Sequence, residues 1–293
     1  MTLRDLLAQR VVVLDGAMGT ELQARGLAPG ESGDWWSVAH PEKVKPVHEA
    51  YRDAGSDVVT SNSFGANRWV LERYGFADQV EAVNRAAAAL AVEAAGEGHF
   101  VFGDIGPSGV LIEPLGPATV DELRREFGRQ ASALLAGGAH GIIVETMSDL
   151  QEASVAVAAA REAGADIVVG SMTFSPLPNG RMRTMMGVSP EDAARELHAA
   201  GATIVGVNCG SHMGFDACAE VVRLMRSVCN APVLAMPNAG HPRWEDGRAI
   251  YDLGPADFAE GMRAVLAAGA TLVGGCCGTT PAHIAALRRS LGV

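Results

Sequence analysis

The sequence predicts a closed (β/α)8 TIM barrel, built as a single domain over residues 1–293. Three observations carry that expectation. The first is a weak internal repeat: a small residue, then Gly, then a short spacer, then a β-branched run. It recurs at 54–59, 137–143, 163–168, 200–205 and 268–273. Gly directly after a helical stretch is the left-handed residue that ends it. The run that follows is apolar throughout, as in parallel strands buried on both faces. The second observation is that eight such runs can be placed, at 11–15, 58–61, 99–104, 142–145, 167–171, 204–207, 232–236 and 272–273. The third is that alanine-rich helical stretches separate most of them, for instance 78–95, 121–136 and 151–163. Helix, Gly cap and strand in repetition mean an array of βα units. Eight of them in a chain of this length fit a barrel, with an open doubly wound sheet as the alternative.

The helix starts have their own signals. Thr119 and Glu122, Ser148 and Gln151, and Ser189 with Pro190 and Asp192 all show capping-box spacing. Thr280 followed by Pro281 begins the last helix in the same way. Three links after strands are long: 27–41, with Trp35 and Trp36, then 174–188 and 237–255. In a barrel, loops that follow strands gather at the C-terminal face, where active sites lie.

The bulk composition excludes several function classes. A net charge of −11 argues against nucleic acid or an anionic membrane surface as partner. No apolar run approaches the roughly 20 residues of a membrane span. Residues 1–10 lack the basic-then-apolar layout of a signal peptide, so the expected compartment is the cytoplasm. Five cysteines in a reducing compartment read as ligands or core thiols rather than disulfides. Assembly into a homo-oligomer is left open.

The chemistry concentrates in one stretch, Gly274-Gly275-Cys276-Cys277-Gly278-Thr279-Thr280-Pro281. Adjacent cysteines on a regular strand point to opposite sides. Glycines on both flanks let the backbone bend until both sulfurs face one centre. A third cysteine, Cys209, ends an earlier strand in a similar setting, Asn208-Cys209-Gly210. Three thiols at strand ends match a catalytic zinc site, which takes three protein ligands and keeps one position open. A vicinal disulfide and plain buried thiols are the competing readings, and for Cys218 and Cys229 the core reading wins. Asp15 and Glu145 end the first and fourth strands and are placed at the barrel mouth, where a pair of carboxylates can bind an ammonium or act as acid and base. Asp104 is similar, although Gly103 and Gly106 beside it also suit a turn. The small residues Gly16, Ala17 and Met18 leave backbone N–H groups for an anion. Asn62 and Asn208 are candidate hydrogen-bond donors to a substrate, and His212 is a further candidate metal ligand.

Asp15–Thr20, Gly103-Asp104-Ile105-Gly106-Pro107, Glu145-Thr146, Gly206-Val207-Asn208-Cys209 and Gly274–Thr279 together resemble the homocysteine S-methyltransferase family. That family includes the homocysteine-binding module of cobalamin-dependent methionine synthase and the betaine–homocysteine methyltransferases. The resemblance runs over nearly the whole chain in the family's order. It implies a zinc ion held by Cys209, Cys276 and Cys277. It also implies an L-homocysteine amino group held by Asp15 and Glu145, and a carboxylate held by the amides of Gly16 to Met18. The product would be methionine. Zinc with three thiolate ligands favours the thiolate form of an entering thiol, so no catalytic residue beyond the activated substrate sulfur is required. Alternatives are the same site serving another thiol or donor demethylation, or a non-catalytic zinc or redox-sensing barrel.

For the methyl donor, Trp35, Trp36 and Phe64 are candidates for an aromatic cage around an onium group, while packing or a partner surface suits the two tryptophans equally well. Gly65 and Thr146, however, stand where the betaine enzymes carry aromatics. The run Thr60–Asn67 is closer to the methionine synthase module, which takes its methyl from a corrinoid domain. The expected donor is therefore a separate methyl-corrinoid protein or a small methylated ammonium or sulfonium compound.

Overall fold

A computed structural model describes residues 2–210, 212–245 and 248–292. Its centre is an eight-stranded parallel sheet. The strands are β1 (Val12–Val13), β2 (Val58–Thr60), β3 (Phe100–Ile105), β4 (Gly141–Met147), β5 (Val168–Met172), β6 (Ile204–Asn208), β7 (Val233–Met236) and β8 (Leu272–Val273). Each pairs with its sequence neighbour, and β8 pairs with β1. A parallel bridge between Leu14 and Val58 joins β1 to β2 and closes the barrel. All eight expected strands are present, with ends that differ by up to two residues.

The five Gly positions of the repeat explain the regular return of chain to sheet. Gly55, Gly138, Gly164, Gly201 and Gly269 have φ of 100, 98, 100, 111 and 103°, the region where a side chain is strained. Helix starts follow the expected signals at Thr119, which forms a full capping box with Glu122, and at Ser189, whose side chain accepts from Asp192 N–H. At the helix Leu150–Glu162 the expected cap is displaced by one residue. Asp149, not Ser148, accepts from the N–H groups of Gln151 and Glu152. A carboxylate accepts more strongly than a hydroxyl and also faces the positive end of the helix.

Strand alternation produces two cores. Val12, Leu14, Val58, Phe102, Ile143 and Val169 fill the barrel interior, while Val13, Val59, Val101, Ile142 and Val168 face the helices. Leu3 and Leu6 of the N-terminal helix Leu3–Gln9 join the interior cluster. They pack at the floor of the barrel, opposite the C-terminal ends of the strands. Cys218 and Cys229 are buried in the outer core. No described helix is long and apolar enough to cross a membrane.

The β1–β2 seam has one bridge and is reinforced by a side chain. Asp57 accepts two hydrogen bonds from the Arg10 guanidinium, both 2.7 Å, one from Val13 N–H at 2.9 Å and one from Arg288 at 3.2 Å. Removing a buried carboxylate leaves its cations and amide uncompensated. Asp57→Ala should therefore lose about 2–4 kcal/mol of stability and lower the melting temperature by roughly 4–12 °C in a thermal unfolding experiment.

Candidate active site

The barrel mouth holds a cavity of about 640 Å3. Cys209, Cys276, Cys277, Asp15 and Glu145 all line it. The cysteines come from distant parts of the sequence, and hydrogen bonds from the end of β7 explain how they meet. Cys209 N–H donates to Met236 O at 3.1 Å, and Cys276 N–H donates to Pro237 O at 2.9 Å. Ala239 N–H donates to Cys277 O, also at 2.9 Å. β7 lies between β6 and β8, so its last residues hold the loops on both sides. Cys209 itself has φ 56°, a left-handed conformation costing on the order of 1–2 kcal/mol for a residue with a Cβ.

The result is a triad of sulfurs all within 4.8 Å of one another, with Cys276 Sγ and Cys277 Sγ 4.0 Å apart. Ligands about 2.3 Å from a tetrahedral metal stand roughly 3.8 Å from each other, so a small contraction makes this a three-sulfur metal site. Hydrogen bonds from the thiols of Cys276 and Cys277 hold Cys209 well below the usual thiol range, and Asn238 adds another. Cys277, which donates to Cys209, is pushed up to about 11, and Cys276 is also raised. A divalent cation bound by the three sulfurs would displace the thiol protons.

The loop after β1 is shaped for contact with the cysteine loop. A Cβ on Gly16 would lie 2.5 Å from Thr279 Oγ1 and 2.9 Å from the Tyr51 hydroxyl, so only glycine fits. The buried Tyr51 hydroxyl lies 2.9 Å from Ala17 O and 3.0 Å from Thr279 O. It ties the two loops together. Ala17 N–H is engaged by Thr279 Oγ1 at 3.1 Å. The amides of Gly16 and Met18 find no backbone or side-chain partner among the described residues.

Asp15 is 2% exposed and accepts from Thr60 N–H at 2.7 Å and from Thr60 Oγ1. Burial outweighs these bonds and raises its pKa to about 7. Glu145 is raised to about 8, first by burial and then by the charges of Asp15 and Cys209. Glu145 is placed by a bulge. β4 pairs with β5 regularly to Val144, then resumes at Met147 with one residue extra. Thr146 has φ 59° there. Asn208 holds this bend: its Oδ1 accepts from Thr146 N–H at 2.9 Å and from Ser171 Oγ at 2.7 Å, and its Nδ2 donates to Thr146 Oγ1 at 2.7 Å.

The remaining expected site residues divide. Phe64 and Asn62 line the cavity. The Asn62 amide donates to Gly33 O at 2.7 Å and to Ser37 Oγ at 3.1 Å, so it also fixes the long loop after β1. The two tryptophans lie elsewhere. Trp35 stacks on Phe76 at 4.1 Å, and Trp36 is buried in the outer core with Lys43 over its ring. Neither lines the cavity. His212 lies near His241, with ring centroids 5.4 Å apart, and is not in the sulfur cluster. Residues that sequence reasoning passed over include Asp34, which lines the cavity and accepts from Gly65 N–H at 2.9 Å. Tyr251 is another. Its ring lies against Gly278, where a Cβ would come within 2.1 Å of it. Both belong to long loops singled out by their length, but nothing in their local pattern marked the individual residue.

A protein-family model described as homocysteine S-methyltransferase matches residues 12–291. Methionine synthase of Mycobacterium tuberculosis is 34% identical over 296 residues, which cover 96% of this chain and 25% of that protein. Methionine synthase of Mycobacterium leprae is 33% identical, with 96% of this chain and 24% of that protein covered. The chain therefore spans about a quarter of the length of these curated relatives. Among solved structures, the metallated form of the homocysteine methyltransferase MmuM from Escherichia coli aligns with a TM-score of 0.79 at 25% identity. That alignment covers 98% of this chain and 99% of that one.

The raised carboxyls make a stability prediction. Glu145 has a folded pKa of about 8 against an ordinary 4.5, so its neutral form is the one the fold favours. The stability it contributes is complete below its unfolded value and is lost as pH rises through about 8. Glu145→Gln should match the parent in melting temperature near pH 4.5 and exceed it by a few degrees at pH 8.5, both without ligand. A parent that gains stability relative to the variant as pH rises would contradict this.

Proposed function

The chain belongs to the homocysteine S-methyltransferase family, and from that premise we propose that it moves a methyl group from an onium or corrinoid-bound donor to the thiol of L-homocysteine, giving methionine. The observation that carries this reading is the convergence of three cysteine sulfurs, the buried Asp15 carboxyl and the half-buried Glu145 carboxyl in one cavity. A thiol amino acid needs both: a place for its sulfur and a place for its ammonium.

We assign Cys209, Cys276 and Cys277 as ligands of a zinc ion. When bound, zinc would receive the substrate sulfur and lower its pKa, as metals do for coordinated thiols. The chain's own residues supply the rest. Asp15 and Glu145 receive the ammonium, and their ionised forms are stabilised by it. The free amides of Gly16 and Met18 donate to the substrate carboxylate. Thr60 keeps both Asp15 oxygens oriented, and Asn208 keeps the Glu145 bulge in place. A substrate fixed at both ends presents its sulfur in one position, so that a methyl held roughly 3–3.5 Å away is attacked in line. The new carbon–sulfur bond forms as the donor's bond to that carbon breaks, and no side chain needs to accept a proton in this step. Asn62 lies on the cavity wall and, with Asn208, supports binding through the loops it fixes. We place the reaction in the cytoplasm, which suits five free cysteines.

Purified protein should contain one zinc per chain by elemental analysis and form methionine from homocysteine and a methyl donor. Cys209→Ser and Cys277→Ser should each lower both zinc content and rate by at least about 10-fold, since each removes one of three ligands. Full methionine formation in a variant lacking zinc would overturn the reading. Homocysteine binding to the zinc-loaded protein should also weaken as pH falls below about 8, as Glu145 and then Asp15 lose charge to protons.

A further inference from the structure

Two loops divide the work at the barrel mouth. The loop after β1 carries Asp15 and the free amides of Gly16 and Met18, and the loop after β8 carries Cys276 and Cys277. Both loops pack on one atom, the side-chain oxygen of Thr279. The Thr279 hydroxyl donates to Cys276 O at 2.7 Å and accepts from Ala17 N–H at 3.1 Å. A hydroxyl has one proton to give, so the bond to Cys276 O also fixes the direction from which it accepts. A glycine in each loop permits the approach. A Cβ on Gly16 would lie 2.5 Å from Thr279 Oγ1, and one on Gly275 would come closer still. Thr279 is fully buried and does not line the cavity. It is placed to act on both loops without touching a ligand in the cavity.

Tyr51 supplies a second link. Its phenol is buried in the outer core and has one proton to place between Ala17 O at 2.9 Å and Thr279 O at 3.0 Å. Ala17 is therefore held from both sides, its N–H by Thr279 and its carbonyl by Tyr51. With the Ala17 N–H turned away to Thr279, the amides of Gly16 and Met18 on either side of it are the ones left for a substrate. The base of this clamp is firm. Ala17 is the N-cap of the helix Met18–Ala24, and Thr279 stands just before the helix Pro281–Ser290, whose start is closed by Thr280 and His283. His283 Nε2 in turn lies 2.8 Å from Leu253 O. One hydroxyl thus ties the helix start after β1 to the helix start after β8.

We infer that Thr279, assisted by Tyr51, is a positioning residue that sets metal affinity and amino-acid affinity together, because it holds the cysteine loop and the carboxylate-binding loop in one register. This rests on the zinc and homocysteine sites proposed above. Groups that orient the ligands of a metal govern its affinity although they never touch it. Here the same group also orients the amides that meet the substrate carboxylate. Without the hydroxyl, the Ala17 N–H is left buried and unpartnered, and the two loops lose their common support. Metal and amino acid are then linked by two routes: directly, through the substrate sulfur, and through the protein, by way of Thr279.

The test uses full-length protein and reads each affinity by itself. Zinc affinity is measured by competition with a chromophoric chelator. Amino-acid affinity is measured by calorimetry on zinc-saturated protein with L-2-aminobutyrate, which has the ammonium and carboxylate of homocysteine and no sulfur. Thr279→Val removes the hydroxyl and keeps the volume. It should weaken zinc binding by about 10-fold and L-2-aminobutyrate binding by about 5-fold. Thr279→Ser keeps the hydroxyl and should stay within about 2-fold of the parent for both ligands. Thr60→Val removes a partner of Asp15 and should weaken the amino acid alone, which shows that the two affinities are separable. Tyr51→Phe should weaken both, and it decides the question if Thr279→Val does not fold. Parent-like affinities in folded Thr279→Val, a loss confined to one ligand, or a Thr279→Ser protein as impaired as Thr279→Val overturns the inference. A lower melting temperature with both affinities unchanged would likewise reduce Thr279 to a residue of stability alone. A parent that binds no zinc, or no L-2-aminobutyrate, overturns the underlying site assignments instead.

Discussion

Two carbonyl groups at the end of β7, Met236 O and Pro237 O, bind the N–H groups of Cys209 and Cys276. The site depends on that pairing. A sulfur after β6 and two sulfurs after β8 are separated by more than sixty residues of chain, yet they are the nearest neighbours of one strand. Barrel closure makes this inevitable. Once β8 returns to β1, the ends of β6, β7 and β8 form a continuous arc, and the β1 loop with Asp15 stands at its edge. Gly275 N–H donates to Asp15 O at 3.0 Å, so sulfur cluster and carboxyl share one backbone frame.

The electrostatic character of the cavity follows from what it lacks. Asp15, Asp34, Asp104 and Glu145 share a cavity whose lining has no basic side chain, so they cannot all ionise cheaply, and burial raises each of them; Asp34 reaches about 6, Asp15 about 7 and Glu145 about 8. Such an interior favours a metal ion and an ammonium. The strain at Cys209 and Thr146, both at positive φ, is found where a thiol and a carboxyl must be turned into the same space. Both are held by groups on neighbouring strands, Met236 O and the Asn208 amide. Backbone strain at a functional position persists only when its surroundings fix it in this way.

Much of this was legible in the sequence because it is written in local patterns. The Gly caps announce each return to the sheet, and alternation inside each strand sets which side chains fill the interior. The paired cysteines between glycines announce a bend. The acids Asp15 and Glu145 stand at strand ends, where their position follows from strand length alone. What was not legible depends on three-dimensional partners. Asn208 reads as a donor at the mouth, and its hydrogen bonds to Thr146 and Ser171 emerge only when β4, β5 and β6 lie side by side. Trp35 and Trp36 read as cage residues because they sit in a long loop, but the short helix Trp36–Ala39 turns them to Phe76 and to the outer core. Asp34 was hidden in the same loop, since one carboxylate among polar residues has no periodicity to mark it. The cap at Asp149 was missed by one residue because Ser148 and Asp149 are both good caps, and local chemistry alone does not choose between them.

The central claim is that the three cysteines hold a metal which accepts the sulfur of homocysteine. Zinc X-ray absorption on the loaded protein, with and without homocysteine, tests it most directly. The account predicts three sulfurs and one lighter atom around zinc in the free protein and four sulfurs after homocysteine is added. A sulfur count that stays at three with homocysteine bound, or a free protein whose zinc has fewer than three sulfurs, would contradict it.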